Sequence, residues 1–141
     1  MPIGRLLAVT GRLTGQHVQR LLEAHGLTHA GWVVLTRLAE QDGLTQRELA
    51  DSCFVSAATI TGVVDTLERD GLVTRVRTSD DRRVSRLSLT PDGRERIGKC
   101  IALVAQEMGP IFAGVTDREE AVVRRFLVRT LGRLADKESP A

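Results

Sequence analysis

The chain has 141 residues, 42% of them hydrophobic, and a formal net charge of +2. This length and apolar content predict one globular domain with a modest core. No run of about 18 apolar residues is present to span a membrane, and the first residues lack the apolar stretch and cleavage site of a signal peptide. Two cysteines make neither a disulfide framework nor a zinc-finger spacing. We therefore expect a cytoplasmic protein.

Two helices are predicted before residue 44. The first spans Leu6 to Ala24 and ends at Gly26, because glycine is favoured just after a helix. The second begins after Thr28, whose hydroxyl is a good N-cap, and closes at Gly43. Apolar residues recur at helical spacing in both segments.

One stripe of the first helix is rich in glycine. Glycine inside a helix costs about 0.5–1 kcal/mol relative to alanine, so three on one stripe require a reason. Close approach of another helix is one interpretation. The other is a frayed amino end whose glycines face water. The stripe consists of Gly4, Ala8, Gly11, Gly15, Val18 and Leu22.

Residues 44–71 contain two more capped helices with a tight connection. Thr45 and Glu48 form a capping box, which satisfies two backbone N–H groups at a helix start. Ser56 is a good N-cap for the next helix, and Gly71 stands where a left-handed residue follows a helix. The pattern predicts a helix-turn-helix.

Two short strands follow, over residues 72–77 and 86–89, where apolar and polar residues alternate. A polar turn, Thr78–Arg83, joins them. Between residues 72 and 89 five arginines face only Asp80 and Asp81, a local charge of +3. Such a basic wing beside a helix-turn-helix is typical of DNA binding. The five arginines are Arg75, Arg77, Arg82, Arg83 and Arg86.

The rest of the chain is predicted to be helical. Thr90–Pro91 supplies an N-cap and a first-position proline for a long helix. Pro110 should kink or end that helix, because an interior proline removes a hydrogen bond and clashes with the preceding turn. Thr116 and Glu119 form another capping box before a last helix. We expect residues 136–141 to be disordered.

Three segments, LTQRELAD, VSAATITGVVDTLERDGLV and DDRRVSRLSLTPDGRE, resemble the MarR family of multiple-antibiotic-resistance-type regulators. The wing's Asp-Arg-Arg, followed by Leu-Thr-x-x-Gly at Leu89, Thr90 and Gly93, is the most specific part. The resemblance implies a mostly α-helical fold with a small β-wing. A winged helix-turn-helix over about residues 28–90 would be flanked by dimerisation helices at about 4–25 and 91–135, all in one domain.

The resemblance also implies a homodimeric transcription regulator, often a repressor, that binds a palindromic double-stranded operator. Arg83 and Arg82 would enter the minor groove, where negative potential attracts arginine, and Asp81 would orient the arginine. The recognition helix has no basic residue before Arg69, so we expect modest direct readout and an AT-leaning operator. Its candidate DNA contacts are Ser56, Ala57, Ala58, Thr59, Thr61, Gly62 and Thr66.

A pocket for a small aromatic or phenolic effector is implied by the resemblance alone, where the dimer helices meet the winged domain. Arg12 or His17 could supply a cation for an anionic ligand. Trp32 stands at helical spacing with Leu35 and Leu38, and a tryptophan in such a pattern is more often a core residue. The candidate residues are Arg12, His17, His29, Trp32 and Met108.

Other functions have little support in the sequence. No catalytic signature or phosphate-binding loop occurs, so we expect neither an enzyme nor a cofactor. His25 and His29 do not share a helical face, and zinc needs four spaced ligands, so no metal site is predicted. Cys53 and Cys100 fit small apolar positions. A cysteine redox-responsive regulator and a protein-interaction module remain as alternatives.

Overall fold

A computed structural model describes residues 1–78 and 81–138; for residues 78 and 81–83 it describes the backbone alone. Within these ranges the chain is mostly helical, with one small antiparallel sheet. No helix there is both long and apolar enough to cross a membrane. The elements are α1 (Ile3–Glu23), α2 (His29–Glu40), β1 (Leu44–Thr45), α3 (Gln46–Cys53), α4 (Ala57–Arg69), β2 (Val73–Thr78), β3 (Asp81–Leu89), α5 (Pro91–Met108), a 3₁₀ turn (Gly109–Ile111) and α6 (Asp117–Glu138).

The predicted caps of the central helices are confirmed. The Thr28 hydroxyl accepts from the Gly31 amide at 3.0 Å at the start of α2. At the start of α3 the Thr45 hydroxyl accepts from the Glu48 amide at 3.1 Å, and the Glu48 carboxylate accepts from the Thr45 amide at 3.4 Å. Ser56 caps α4 by accepting from the Thr59 amide at 3.2 Å. Short-range side-chain chemistry therefore sets these helix starts.

The first helix begins earlier than predicted, at Ile3 rather than Leu6. The Leu6 amide donates to the Pro2 carbonyl at 3.0 Å, so the first turn is already formed there. Pro2 is compatible with this start because proline at a helix entrance removes no intrahelical bond. Gly4 consequently lies inside the helix.

The sheet has the strand order β1-β3-β2, and the two-residue β1 was not predicted. Leu44 pairs with Leu87, and Val73 pairs with Leu89. The predicted turn Thr78–Arg83 is too long, because β3 already begins at Asp81, which pairs with Thr78. Pairing at the tip of the ribbon depends on backbone hydrogen bonds, which any residue can make. Because the residues there are polar, the sequence shows no alternation of apolar and polar residues that would predict a strand.

The chain divides into two compact units, of which the first is Met1–Ala105. In it α2 packs against α1, α3 and α4, and the sheet lies against α2, α3 and α4. Apolar side chains from every one of these layers are buried, which places the core beneath the helix-turn-helix. The largest fully buried side chains are Leu22, Leu35, Leu38, Leu49, Ile60, Leu72 and Leu87.

The second unit begins at Gln106 and holds the end of α5, the 3₁₀ turn and α6. As predicted, α5 ends just before Pro110. The predicted capping box of α6 is also confirmed, with the Glu119 amide donating to the Thr116 hydroxyl at 3.2 Å. The prediction of disorder was wrong for residues 136–138, because α6 continues to Glu138. Residues 139–141 lie outside the described chain.

Candidate nucleic-acid interface

One row of side chains along α4 is buried, and the row on the opposite side of the helix faces solvent. Ile60, Val64 and Leu67 are buried in the core of the first unit. At about 100° per residue, the positions opposite that row are the most outward-facing. We call these four exposed residues the outer row: Ala58, Gly62, Asp65 and Arg69. The two residues of the outer row nearest the helix start carry no polar side-chain atom.

The polar residues of α4 lie on its two flanks. On one flank, Thr59 and Thr66 line a groove of about 380 Å³ together with Thr28 and Gly31 from the start of α2. Thr66 donates to the Gly62 carbonyl at 3.1 Å. All the predicted recognition-helix contacts are exposed, but they are divided between the outer row, the two flanks and the start of α4. They are Ser56, Ala57, Ala58, Thr59, Thr61, Gly62 and Thr66.

The other flank is formed by Thr61 and a residue from α3 that the sequence analysis missed. The side-chain amide of Gln46 donates to the Thr61 hydroxyl at 2.8 Å, and that hydroxyl donates to the Ala57 carbonyl at 2.9 Å. Gln46 is the first residue of α3 and is half-buried. In the sequence, the only indication of Gln46 is that it lies between Thr45 and Glu48, which form the capping box.

Arg75 on β2 was also missed as a functional residue. Its guanidinium lies 2.6 Å from the Asp65 carboxylate and 3.3 Å from the Glu68 carboxylate, all three side chains being partly exposed. The pairing places a positive charge between two carboxylates on the solvent side of α4. It therefore offsets charges that would repel a polyanion near the outer row.

The Leu-Thr-x-x-Gly motif closes the base of the wing. The Thr90 amide donates to the Leu72 carbonyl at 3.1 Å, and the Thr90 hydroxyl donates to the Gly71 carbonyl at 2.6 Å. A Cβ atom at Gly93 would lie 2.1 Å from the Leu72 carbonyl oxygen. Only glycine therefore fits where α5 passes the start of β2.

The predicted wing contacts fall outside the described side chains. Asp81, Arg82 and Arg83 belong to β3, whose backbone is described at these positions. Their roles as minor-groove arginines and orienting aspartate stay predictions. On the described part of the wing, Arg77 is exposed and the Arg86 guanidinium donates to the Gly43 carbonyl at 2.9 Å.

Within the first unit, the candidate effector residues Arg12 and His29 line one groove and Trp32 lines another. Arg12 and His29 line a groove of about 460 Å³ beside α1, which Gly11 and Gly15 also line. Trp32 lines a different groove of about 470 Å³ with Ile101 and Val104. His17 lies 3.4 Å from Arg20, and Met108 is buried in the second unit.

Both cysteines are poorly suited to thiolate chemistry. Burial raises the pKa of the Cys53 thiol above its ordinary value, against an opposing hydrogen bond from Ser52. Burial likewise raises the pKa of Cys100, whose side chain is fully buried. Reactive cysteines need a lowered pKa and access to solvent. Among residues 1–78 and 81–138, no three His, Cys, Asp or Glu side chains are grouped closely enough to hold a metal ion.

The chain is similar to known transcription regulators. The model of the MarR family matches residues 27–85. The crystal structure of transcriptional regulator PA3341 is 36% identical, with a TM-score of 0.83, and the match covers 96% of this chain and 99% of that one. A MarR-family transcriptional regulator from Rhodococcus sp. RHA1 is 31% identical, with a TM-score of 0.76, over 94% and 91% of the two chains.

A further relative is the homoprotocatechuate degradative operon repressor of Escherichia coli. It is 32% identical over 74 residues, which are 52% of this chain and 50% of that protein. Together with the two solved structures, these matches show that the chain belongs to the MarR family. It is a DNA-binding transcriptional regulator with a winged helix-turn-helix.

Proposed function

We propose that this MarR-family chain acts as a homodimeric repressor, which binds a palindromic operator and leaves it when a small aromatic effector binds. The observation that carries the proposal is the outward presentation of α4. Its capped amino end and exposed flanks stand clear of the core, as entry into a major groove requires. The E. coli relative is named as a repressor.

Readout of the operator is divided between two elements in this proposal. Helix α4 has no arginine before Arg69, so the bidentate contact to guanine is absent from its first turns. Ser56 and the free amides behind it suit a phosphate, because a helix start carries partial positive charge. The arginines of the wing, Arg82 and Arg83 included, would supply most of the affinity from the minor groove. The preferred operator is AT-leaning.

The proposed dimer rests on apolar surface that each unit leaves in solvent. In α1, Ile3 is 65% exposed and Leu13 is 52% exposed. No described atom outside the helix's own backbone lies within 4 Å of a Cβ placed at Gly4, Gly11 or Gly15, so these three positions are not packed within the subunit, whereas Val18 and Leu22 of the same stripe are buried. The second unit exposes a larger set, which a second copy would cover. That set is Ile111, Phe112, Val115, Val122, Val123, Leu127, Val128, Leu131 and Leu134.

The proposed effector is a small anionic aromatic compound. The groove that Arg12 and His29 line offers a guanidinium and an imidazole to an anionic ring. Homoprotocatechuate, which appears in the name of the E. coli relative, is a phenolic acid. A regulator that binds operator DNA acts where the chromosome is, so we also propose a cytoplasmic location. No catalytic activity is part of the proposal.

A gel shift on the DNA that flanks the chain's own gene tests the proposal. We expect a complex that survives excess competitor duplex and weakens as salt rises. Ala58→Glu places a carboxylate on the outer row and should abolish the complex. Ala39→Glu is the matched control, since it adds the same charge at an exposed alanine at the other end of α2 from Thr28.

The outcomes separate the alternatives. Loss of the shift on adding phenolic acids supports effector release. A wild-type protein that binds no duplex in preference to competitor would contradict repression and favour a protein-interaction module. A complex lost under mild peroxide and restored by dithiothreitol would favour a cysteine redox-responsive regulator, against the raised thiol pKa values of Cys53 and Cys100.

A further inference from the structure

In its first turns the outer row of α4 has no side chain that can form a hydrogen bond to a base. Ala58 offers a methyl group and Gly62 offers none. No described atom lies within 4 Å of a Cβ placed at Gly62, so packing inside the subunit does not require glycine there. A helical glycine costs about 0.5–1 kcal/mol relative to alanine. A bare surface at this point lets the helix backbone approach the floor of a groove closely.

A polar group from α3 also reaches this part of α4. Thr61 lies one residue before Gly62, and its hydroxyl accepts a hydrogen bond of 2.8 Å from the Gln46 amide. A hydroxyl has a single proton, and Thr61 donates it to the Ala57 carbonyl at 2.9 Å. The Thr61 hydroxyl therefore has no proton left to donate to Gln46. The side-chain nitrogen of Gln46 faces this hydroxyl and donates to it.

This order of hydrogen bonds fixes what Gln46 presents to solvent. Its amide group has two N–H donors and one carbonyl oxygen, and the contact with Thr61 uses one donor. One N–H and the oxygen remain for another partner. Adenine displays an acceptor at N7 and a donor at N6 in the major groove, which is the complement of that pair.

The backbone that carries Gln46 is also held in place. The preceding residue, Thr45, makes both hydrogen bonds of the capping box with Glu48. Thr45 also pairs with Arg86 in the sheet. The Gln46 side chain therefore starts from a fixed backbone, and its amide group is oriented by Thr61. Pre-orientation lowers the entropy that a glutamine side chain loses on binding.

We propose that Gln46 reads an adenine in each half of the operator and that Thr61 is a positioning residue for it. The inference rests on the proposed function, since it needs operator binding. It changes the role of Thr61 from direct contact to support. It also agrees with an AT-leaning operator, because the reader is a glutamine rather than an arginine.

Selection of duplexes from a randomised library by the full-length protein tests this proposal. The wild type should select a palindrome with a fixed adenine in each half. Gln46→Ala should lower the preference for that adenine roughly 5- to 150-fold and leave the other positions as they were. Gln46→Glu keeps an acceptor but has no donor, so it should shift the preference towards cytosine at the same position.

Variants of Thr61 test its separate role. Thr61→Val removes the hydroxyl and should weaken the adenine preference, whereas Thr61→Ser keeps the hydroxyl and should restore it. A merely structural role would lower affinity for all duplexes without changing the preference. Gln41→Ala is the matched control, because Gln41 is an exposed glutamine bonded to Arg37 at the end of α2. It should select the wild-type palindrome.

The failures are distinguishable. A Gln46→Ala protein that selects the same palindrome as the wild type, or binds every duplex more weakly by one factor, overturns the adenine assignment and leaves the proposed function intact. A wild-type protein that selects no palindrome overturns both. Circular dichroism of each variant checks that it is folded as the wild type is.

Discussion

Gly93 allows the sharpest test of the fold, because a single methyl group there meets backbone. A Cβ at Gly93 would lie 2.1 Å from the Leu72 oxygen, 3.0 Å from its carbonyl carbon and 3.3 Å from its Cα. Ordinary contact begins at 3.4 Å, so α5 and Leu72 must separate by about 1.3 Å. The movement strains two hydrogen bonds, from the Thr90 amide and the Thr90 hydroxyl.

The size of the effect follows from these contacts. Overpacking costs about 1–3 kcal/mol, and each lost hydrogen bond costs about 1 kcal/mol. Gly93→Ala should therefore lower the free energy of unfolding by about 3 kcal/mol, even though alanine favours helix. Gly98→Ala is the control in the same helix, since its Cβ meets no described atom within 4 Å. It should stabilise the fold by about 0.5–1 kcal/mol.

Urea unfolding followed by circular dichroism measures both variants. At an unchanged m-value, the midpoint should fall for Gly93→Ala and rise for Gly98→Ala. If Gly93→Ala is as stable as the wild type, the close approach of α5 to Leu72 does not exist. The motif that ends at Gly93 would then need another explanation.

Three further predictions follow from single side chains. Phe54 follows the last residue of α3 in the left-handed conformation, with φ 56° and ψ 41°, and its side chain is 57% exposed. Glycine adopts this conformation without strain, so Phe54→Gly should have an unfolding free energy about 1 kcal/mol higher than Phe54→Ala. Equal stabilities of the two variants would contradict this prediction. Arg75→Ala should weaken operator binding while changing stability by less than about 1 kcal/mol, and Asp65→Asn in the same chain should restore much of the binding. The Thr116 amide lowers the pKa of Glu119, so its stabilisation is present above the unfolded pKa and is lost as pH falls through the folded value. NMR titration should find that pKa below an ordinary glutamate's, and an ordinary value would refute the cap.

The parts of the fold that the sequence predicts well have local causes. Thr28, Thr45 and Ser56 each accept a hydrogen bond from an amide three residues further on, so the cap is visible within four letters. Pro110 prevents α5 from continuing, because its ring clashes with the preceding turn and its nitrogen has no hydrogen to donate. A short-range signal of this kind does not depend on what packs against the helix.

The site residues that the sequence analysis missed have partners far along the chain. Gln46 meets Thr61 fifteen residues away, and Arg75 meets Asp65 ten residues away. Neither pair has a periodic signature, because the contact depends on how α3 and β2 lie against α4. The two residues of β1 were missed for the same reason, since their pairing partner is in β3.

The charges around α4 indicate that α4 and the wing contribute in different ways to DNA binding. Residues 57–69 carry Asp65, Glu68 and Arg69, a net charge of −1, and Arg75 brings the local balance only to zero. A helix without net positive charge gains little from counterion release on entering a groove. We therefore expect arginines of the wing, such as Arg77, to contribute more to the salt dependence of binding than α4 does. Removing one of them should reduce the salt slope by about one, whereas changes in α4 should alter base preference at a constant slope.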